Sequence, residues 1–376
     1  MRDNVEIGIG REARRTFHLD DINLVPSRRT RSSKDVDTSW NIDAYSFDVP
    51  FVSHPTDALA GSTDFIAAMH EQGGLGVINA EGLWGRQADL DAAFARLAEA
   101  AAESAPAATR VLQELHSAPI DTELLAERLA EARSTDATLS VRVSPQRARE
   151  LTPALVKAGV ELLFIQGTII SAEHVAKGGD PINLKEFISE LEVPVIAGGV
   201  SNYTTAMHLM RTGAAGIIVG GGRNTSAAAL GIETPMATAI ADANAARREY
   251  LDETGGRYVH ILADGEIETS GDIAKAIACG ADAVILGAPL AAASESPAAG
   301  HYWQSSAAHP RFPRGVIERD EFALAAEEPV SLASLLHGPS SDAFGYENLC
   351  GGLRRAMAKC GYTDLKSFQK VDLAVS

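Results

Sequence analysis

Short runs rich in Val, Ile and Leu recur along the chain, each bounded by glycine, proline or a polar cluster. Eight can be counted: 50-PFVSH, 75-LGVIN, 139-LSVRV, 161-ELLFIQ, 193-VPVIAGG, 215-AGIIVGG, 258-YVHILAD and 283-AVILGA. Their apolar positions are nearly continuous, the pattern of a strand buried on both faces. Between most of these runs the apolar residues return at helical spacing: 63-TDFIAAMHEQG, 146-QRARELTPALVKAG, 183-NLKEFISELE, 202-NYTTAMHLMRTG, 225-TSAAALGIETPMATAIADANAARREYLDE and 271-GDIAKAIACG. Several end on glycine just before the next strand, a helix stop followed by a tight turn. Eight such alternations predict an α/β fold with parallel strands, a single-domain (β/α)8 TIM barrel; an open doubly wound sheet is the alternative.

One stretch breaks the rhythm. Residues 83–136, between the second and third strands, are filled with Ala, Glu and Arg and predict two or three surface helices. They read as an elaboration packed on the barrel, or as a separate partner-binding module. Residues 300–340 form a flap-like segment and 341–376 a tail that returns to the barrel.

A chain of 376 residues with 45% hydrophobic content has ample material for a large core. A net charge of −17 disfavours nucleic acid and anionic membrane, because like charge repels both. The start carries no apolar leader segment, and no run approaches the length needed to span a bilayer. Cys279, Cys350 and Cys360 show no CxxC or Cys/His spacing, so neither a disulfide framework nor a zinc site is suggested, and no metal is expected. A cytoplasmic protein is the expectation.

Several stretches together resemble one family, IMP dehydrogenase and GMP reductase: 17-FHLDDINLVPSRRTRSSKDVDTS, 73-GGLGVINAEG, 194-PVIAGGV, 213-GAAGIIVGG, 235-PMATAIADA, 261-ILADGEIETSGDIAKAIACGADAVILGAP and 350-CGGLRRAMAKCGYTDL. The chain looks most like the short IMP dehydrogenase-related subgroup, since the regulatory domain pair that full-length members insert between strands two and three is missing. The resemblance implies a homotetramer or larger. It also implies a purine nucleoside monophosphate at the C-terminal face, NAD beside it, and oxidation of IMP to XMP through a covalent adduct on a loop cysteine.

Audited against that pattern, the loop after strand six, 219-VGGGRNTSAAALGIETPMATAI, contains no cysteine and is about three residues short. Asn224 takes the nucleophile's place, followed by Thr225 and Ser226. An amide cannot attack purine C2, and a hydroxyl without a base is a poor substitute for a thiolate. Thr225 is a weak candidate; helix capping by any of the three is the alternative. A catalytically silent, nucleotide-binding or regulatory barrel is therefore the competing expectation.

For the phosphate and ribose, the resemblance points to Ser53, to Gly220, Gly221 and Gly222, to Asp264 and Gly265, and to Gly287 and Ala288. Asp264 matches the ribose carboxylate, or serves as a turn residue. Two of these turns depart from the family: Glu266 stands where it has glycine, and Ala288 where it has serine. A carboxylate about 4 Å from a phosphate charge costs roughly 4 kcal/mol at an effective dielectric near 20, on the order of a thousandfold in affinity. If Glu266 points inward, its carboxylate could itself fill the anion site at the start of 271-GDIAKAI; otherwise it lies on a solvated loop. On the cofactor side Gln166 replaces an aspartate and Gly199 an asparagine, leaving Gln166, Thr168 and Ser171 as polar candidates. Tyr302 and Trp303 could stack on a base or pack the rim. His54 and His301 read as rim residues, and Arg28, Arg29 and Arg31 as a solvated turn or subunit contact.

Overall fold

The computed structural model describes residues 4–174, 181–319 and 330–376. All eight apolar runs form strands: β1 (Phe51–Ser53), β2 (Val77–Asn79), β3 (Ser140–Val143), β4 (Leu162–Gln166), β5 (Val195–Val200), β6 (Gly216–Gly220), β7 (His260–Asp264) and β8 (Ala283–Leu286). They make one sheet in the order β1, β8, β7, β6, β5, β4, β3, β2, with parallel pairing throughout. Ser53 N donates to Leu75 O (2.8 Å) and Leu75 N to Phe51 O (2.9 Å), which stitches the first strand to the approach of the second. That closure removes the edges an open sheet would have left, so the chain is a (β/α)8 barrel.

The helices follow the strands: α1 (Thr63–Glu71), α2 (Leu90–Glu103), α3 (Ala105–Leu115), α4 (Thr122–Arg133), α5 (Ala148–Lys157), α6 (Leu184–Ser189), α7 (Tyr203–Met210), α8 (Ser226–Leu230), α9 (Met236–Thr254), α10 (Ser270–Cys279) and α11 (Ala288–Ala291). The single helix expected over 225–253 is two. Gly231 adopts left-handed backbone (φ 67°) and stops α8, and Pro235 sets the start of α9.

The elaboration after β2 holds α2, α3 and α4, and it is bolted to the barrel. The Arg86 guanidinium donates to the carbonyls of Glu81, His116 and Ala118. Arg128 donates to those of Trp84 (2.5 Å) and Ala88 (3.0 Å). Buried Asp57 accepts from Leu83 N at 2.8 Å, and Leu97, Leu112 and Leu129 join the common hydrophobic core. These contacts pack the three helices on the barrel wall.

In the flap-like segment His301–Tyr302 pairs antiparallel with Glu318–Arg319, and 320–329 lies outside the described residues. The tail continues through α12 (Leu332–His337), α13 (Leu349–Lys359) and α14 (Leu365–Phe368), and ends with Leu373–Val375 paired to Ile22–Leu24. Among the described residues no helix is long and apolar enough to cross a membrane.

Candidate functional site

Parallel register brings the polar strand ends together at one face: Gly220 lies opposite Asp264, and Gly198 opposite Gln166. In barrels of this class that C-terminal face is where ligands bind. Asp264 is fully desolvated, and Gln166 Nε2 donates to its Oδ2 at 2.8 Å. Burial pushes the Asp264 carboxyl up to about 8, against the opposing pull of the Gln166 bond. His54 Nε2 stands 3.7 Å from the same oxygen. Burial, then the nearby charge of Arg142, push its imidazole down to about 3. At neutral pH the pair is therefore a protonated carboxyl beside a neutral ring, not an ion pair. His54 is thus not the rim residue the sequence suggested; it lies under the barrel mouth, edge-on to the Tyr302 ring.

Two clefts open above this group. The first, of about 310 Å³, is lined by Gly220, Gly221, Gly222, Asp264, Gly265, Gly287, Ala288 and Tyr302, with Arg223, Glu233, Glu266 and Glu268 around them. The second, of about 780 Å³, is lined by His54, Asn79, Arg86, Arg142, Arg147, Gln166, Gln304 and Arg314. Thr168, Ile169 and Gly221 line both, so the clefts are contiguous. Four buried polar atoms of residues lining the second cleft have no protein partner: His54 Nδ1, Gln166 Oε1, Gln304 Nε2 and Arg314 Nε. Buried polar groups are rarely left in this state without a ligand or water to satisfy them.

Two of the glycines have reasons inside the protein. A Cβ on Gly222 would lie 2.0 Å from Gln304 Nε2, and one on Gly287 would lie 2.5 Å from the Tyr302 hydroxyl. The flap-like segment packs onto the turns, and only glycine fits beneath it. Gly199, where the resemblance has asparagine, is equally constrained: a Cβ there would sit 1.6 Å from Gly220 O.

Asn224 closes its own loop. Its Nδ2 donates to Gly221 O (2.9 Å) and Gly222 O (3.1 Å), and its Oδ1 accepts from Ser226 N (2.8 Å). It bridges the turn leading into α8, whose N-cap position is Thr225, and the amide is spent on backbone. Thr225 is absent from the walls of both clefts; its N–H donates to Arg314 O. Ser53, grouped with the phosphate residues by resemblance, lies within the barrel wall, where its Oγ accepts from Val77 N at 2.9 Å. All three cysteines are buried, and burial raises each thiol above its ordinary value.

Glu266 follows neither expected course. Its backbone is left-handed (φ 56°), and its carboxylate accepts from His18 Nδ1 (2.5 Å) and Leu19 N (2.9 Å). The amides at the start of α10 are taken by another residue: Asp272 Oδ2 accepts from Thr269 N (2.9 Å) and Glu268 N (3.2 Å). The self-occupied anion site is thus corrected: Glu266 lines the cleft while holding the N-terminal segment, and Asp272 completes the capping box.

Trp303 packs in the core against Phe94, whereas Tyr302 does reach the first cleft. His301 is half-buried and Ser171 bonds Glu173 O. Arg28 and Arg29 are exposed, and Arg31 reaches Gly361 O in the tail. Sequence reasoning missed Arg142, Gln304, Arg314 and His18. Arg142 had a signal, a lone cation inside an apolar strand, and it proves to be buried, with two nitrogens on Gln166 O and a third on Asn79 Oδ1. His18 had none, since its partner is 248 residues away.

The IMP dehydrogenase / GMP reductase domain model matches residues 16–375. A protein named uncharacterized oxidoreductase from Mycolicibacterium smegmatis is 61% identical, covering 99% of each chain. Inosine-5'-monophosphate dehydrogenase of Haemophilus influenzae is 37% identical over 152 residues, 39% of this chain and 29% of that protein. The crystal structure of an IMP dehydrogenase/GMP reductase-like protein from Corynebacterium glutamicum superposes with a TM-score of 0.95 at 66% identity, covering 100% of this chain and 98% of that one.

Proposed function

Because the chain belongs to the IMP dehydrogenase/GMP reductase family, we propose that it is an oxidoreductase-type barrel. It holds a ribosylated purine in the glycine-lined cleft and a nicotinamide dinucleotide in the arginine-lined cleft, without the family's covalent cysteine step. The observation that carries this reading is the contact between the two clefts at Thr168, Ile169 and Gly221. Hydride transfer requires two ligands to meet face to face, and a shared wall is what permits it.

The residues present fit the cofactor. The orphaned Gln166 Oε1 and Gln304 Nε2 are an acceptor and a donor, complementary to a carboxamide, and Arg314 offers a buried, unpartnered N–H to a phosphate. Bound there, the nicotinamide would supply the hydride acceptor. Asp264, protonated at neutral pH, is suited to bond a ribose hydroxyl without adding charge. The purine thioimidate route has no sulfur to start from on the loop after β6, where Asn224 is tied to three backbone groups. Covalent IMP oxidation is therefore not part of this proposal.

The test pairs two measurements. Melting curves with NAD and with purine ribosides and ribotides should rise for at least one purine and for NAD. NADH formation from IMP at high enzyme concentration should stay at background. Flat melting curves for every ligand would refute the binding reading, and steady IMP-dependent NADH formation would refute the missing-thiolate reading.

A further inference from the structure

We propose that His18 is a positioning residue for the phosphate of a bound purine ribotide: it holds Glu266 at the cleft wall and cancels its charge, so that the glycine-lined cleft accepts an anion. The inference rests on the reading that this cleft holds a ribosylated purine.

The donors that a phosphate needs are open. The N–H groups of Gly221, Gly265, Gly287 and Ala288 and the buried Ser226 hydroxyl belong to the lining, and among the described residues none has a partner. Backbone amides gathered at turns and helix starts bind anions in this way. The charges around them work against it. Glu233, Glu266 and Glu268 line the same cleft, and the guanidinium of the lining, Arg223, is engaged by Glu318 at 3.1 Å and Glu268 at 3.5 Å. Glu266 directly follows Gly265 in the chain, so its charge stands beside one of the open amides. Uncompensated, it would repel a phosphate dianion.

His18 supplies the compensation from outside the lining. Its Nδ1 meets Glu266 Oε1 at 2.5 Å, and Leu19 N donates to Oε2 at 2.9 Å, so both carboxylate oxygens are fastened to the N-terminal segment. That segment is itself fixed, with Phe17 N donating to Thr238 Oγ1 and His18 N to Asp21 Oδ2, both at 2.7 Å. The other charges acting on the ring are Glu233 and Asp21, both negative. Asp242 on α9 is taken by Arg14, and Asp272 on α10 by its own cap. The bond to Glu266 raises the imidazole above its ordinary value, against the opposing effect of burial. Below that raised value the ring is a cation and its pair with Glu266 is neutral. As pH rises through it the ring loses its charge, and Glu266 then faces the phosphate alone.

Calorimetric titration of the full-length protein with IMP at pH 7 and pH 9 tests this. The Glu266→Gly variant is the reference, because it shares every other titration of protein and ligand and glycine suits the left-handed backbone at this position. Relative to that reference, wild-type affinity should fall about tenfold between the two pH values, the scale of one uncompensated charge near the phosphate. His18→Lys, which keeps a cation, should remove the fall. His18→Ala should bind as weakly at pH 7 as the wild type does at pH 9, and adding Glu266→Gly to it should restore the affinity, which a merely structural loss would not allow. A wild-type affinity that tracks Glu266→Gly across the range, or a His18→Ala defect that Glu266→Gly leaves in place, overturns the inference while leaving the purine site standing. Absence of binding of IMP, GMP and AMP by wild type and Glu266→Gly alike overturns the purine site and the inference with it.

Discussion

Asp264 is a carboxyl whose protonation is set by its surroundings. The unfolded side chain loses its proton near 3.8, while the folded one holds it to about 8. Between those values the native state binds more protons, so this group's contribution to stability falls as pH rises. Asp264→Asn keeps an acceptor for Gln166 Nε2 and removes the titration. Relative to wild type, the variant should therefore gain stability steadily from pH 4 to pH 8, read as the difference in urea midpoints; a constant difference would show that Asp264 is ionised in the fold. Glu266 makes a different point at the same scale. A non-glycine residue in left-handed backbone costs about 1–2 kcal/mol, and here its bonds to His18 and Leu19 offset the strain. The substitution of glycine was visible in the sequence. Its partner was not, because nothing local marks a contact spanning the chain.

Elements decide what the loop after β6 can do. Asn224 fastens Gly221, Gly222 and Ser226 through three hydrogen bonds, whereas Thr225 faces neither cleft. Asn224→Ala should loosen the loop by about 1–2 kcal/mol, seen as faster amide exchange over 220–231. Thr225→Ala should leave ligand affinity and any turnover unchanged; a loss of turnover would restore Thr225 as a nucleophile. The elements themselves were legible, because continuous apolar runs and glycine stops report burial and termination locally. The break between α8 and α9 was also signalled, by Gly231 and Pro235, yet the shared amphipathic pattern on either side masked it.

Across the molecule, Asp282 at the foot of β8 gathers distant parts. It accepts from Arg247 (2.5 Å), Tyr258 (2.7 Å), Lys366 (2.7 Å) and Ile261 N (2.8 Å), tying α9, β7 and the tail to the barrel. Arg247 is buried too, so Asp282→Ala strands its charge and should cost about 3–5 kcal/mol, measured by chemical denaturation. At the N-terminus, Asn4–Gly8 and Arg11–Arg14 form a hairpin whose strand residues are all exposed, with Ile7 at 66% and the turn residue Ile9 at 106%. Isolated two-stranded hairpins are marginal in water; this one is pinned by Arg14 to Asp242. We propose that this exposed hairpin is a contact of the homo-oligomer that the family resemblance implies: removing residues 1–10 should lower the assembly state in sedimentation, and an unchanged mass would place the contact elsewhere.

By itself the sequence determined the barrel, its eight strands, the helical elaboration and the absence of a loop cysteine, since burial on both faces and chain punctuation are written in neighbouring residues. Only the tertiary structure decided where Glu266 points, that Gln166 and His54 close around Asp264, and that two clefts share a wall. Those outcomes depend on parallel register and on contacts between residues far apart in the chain, which no local pattern encodes.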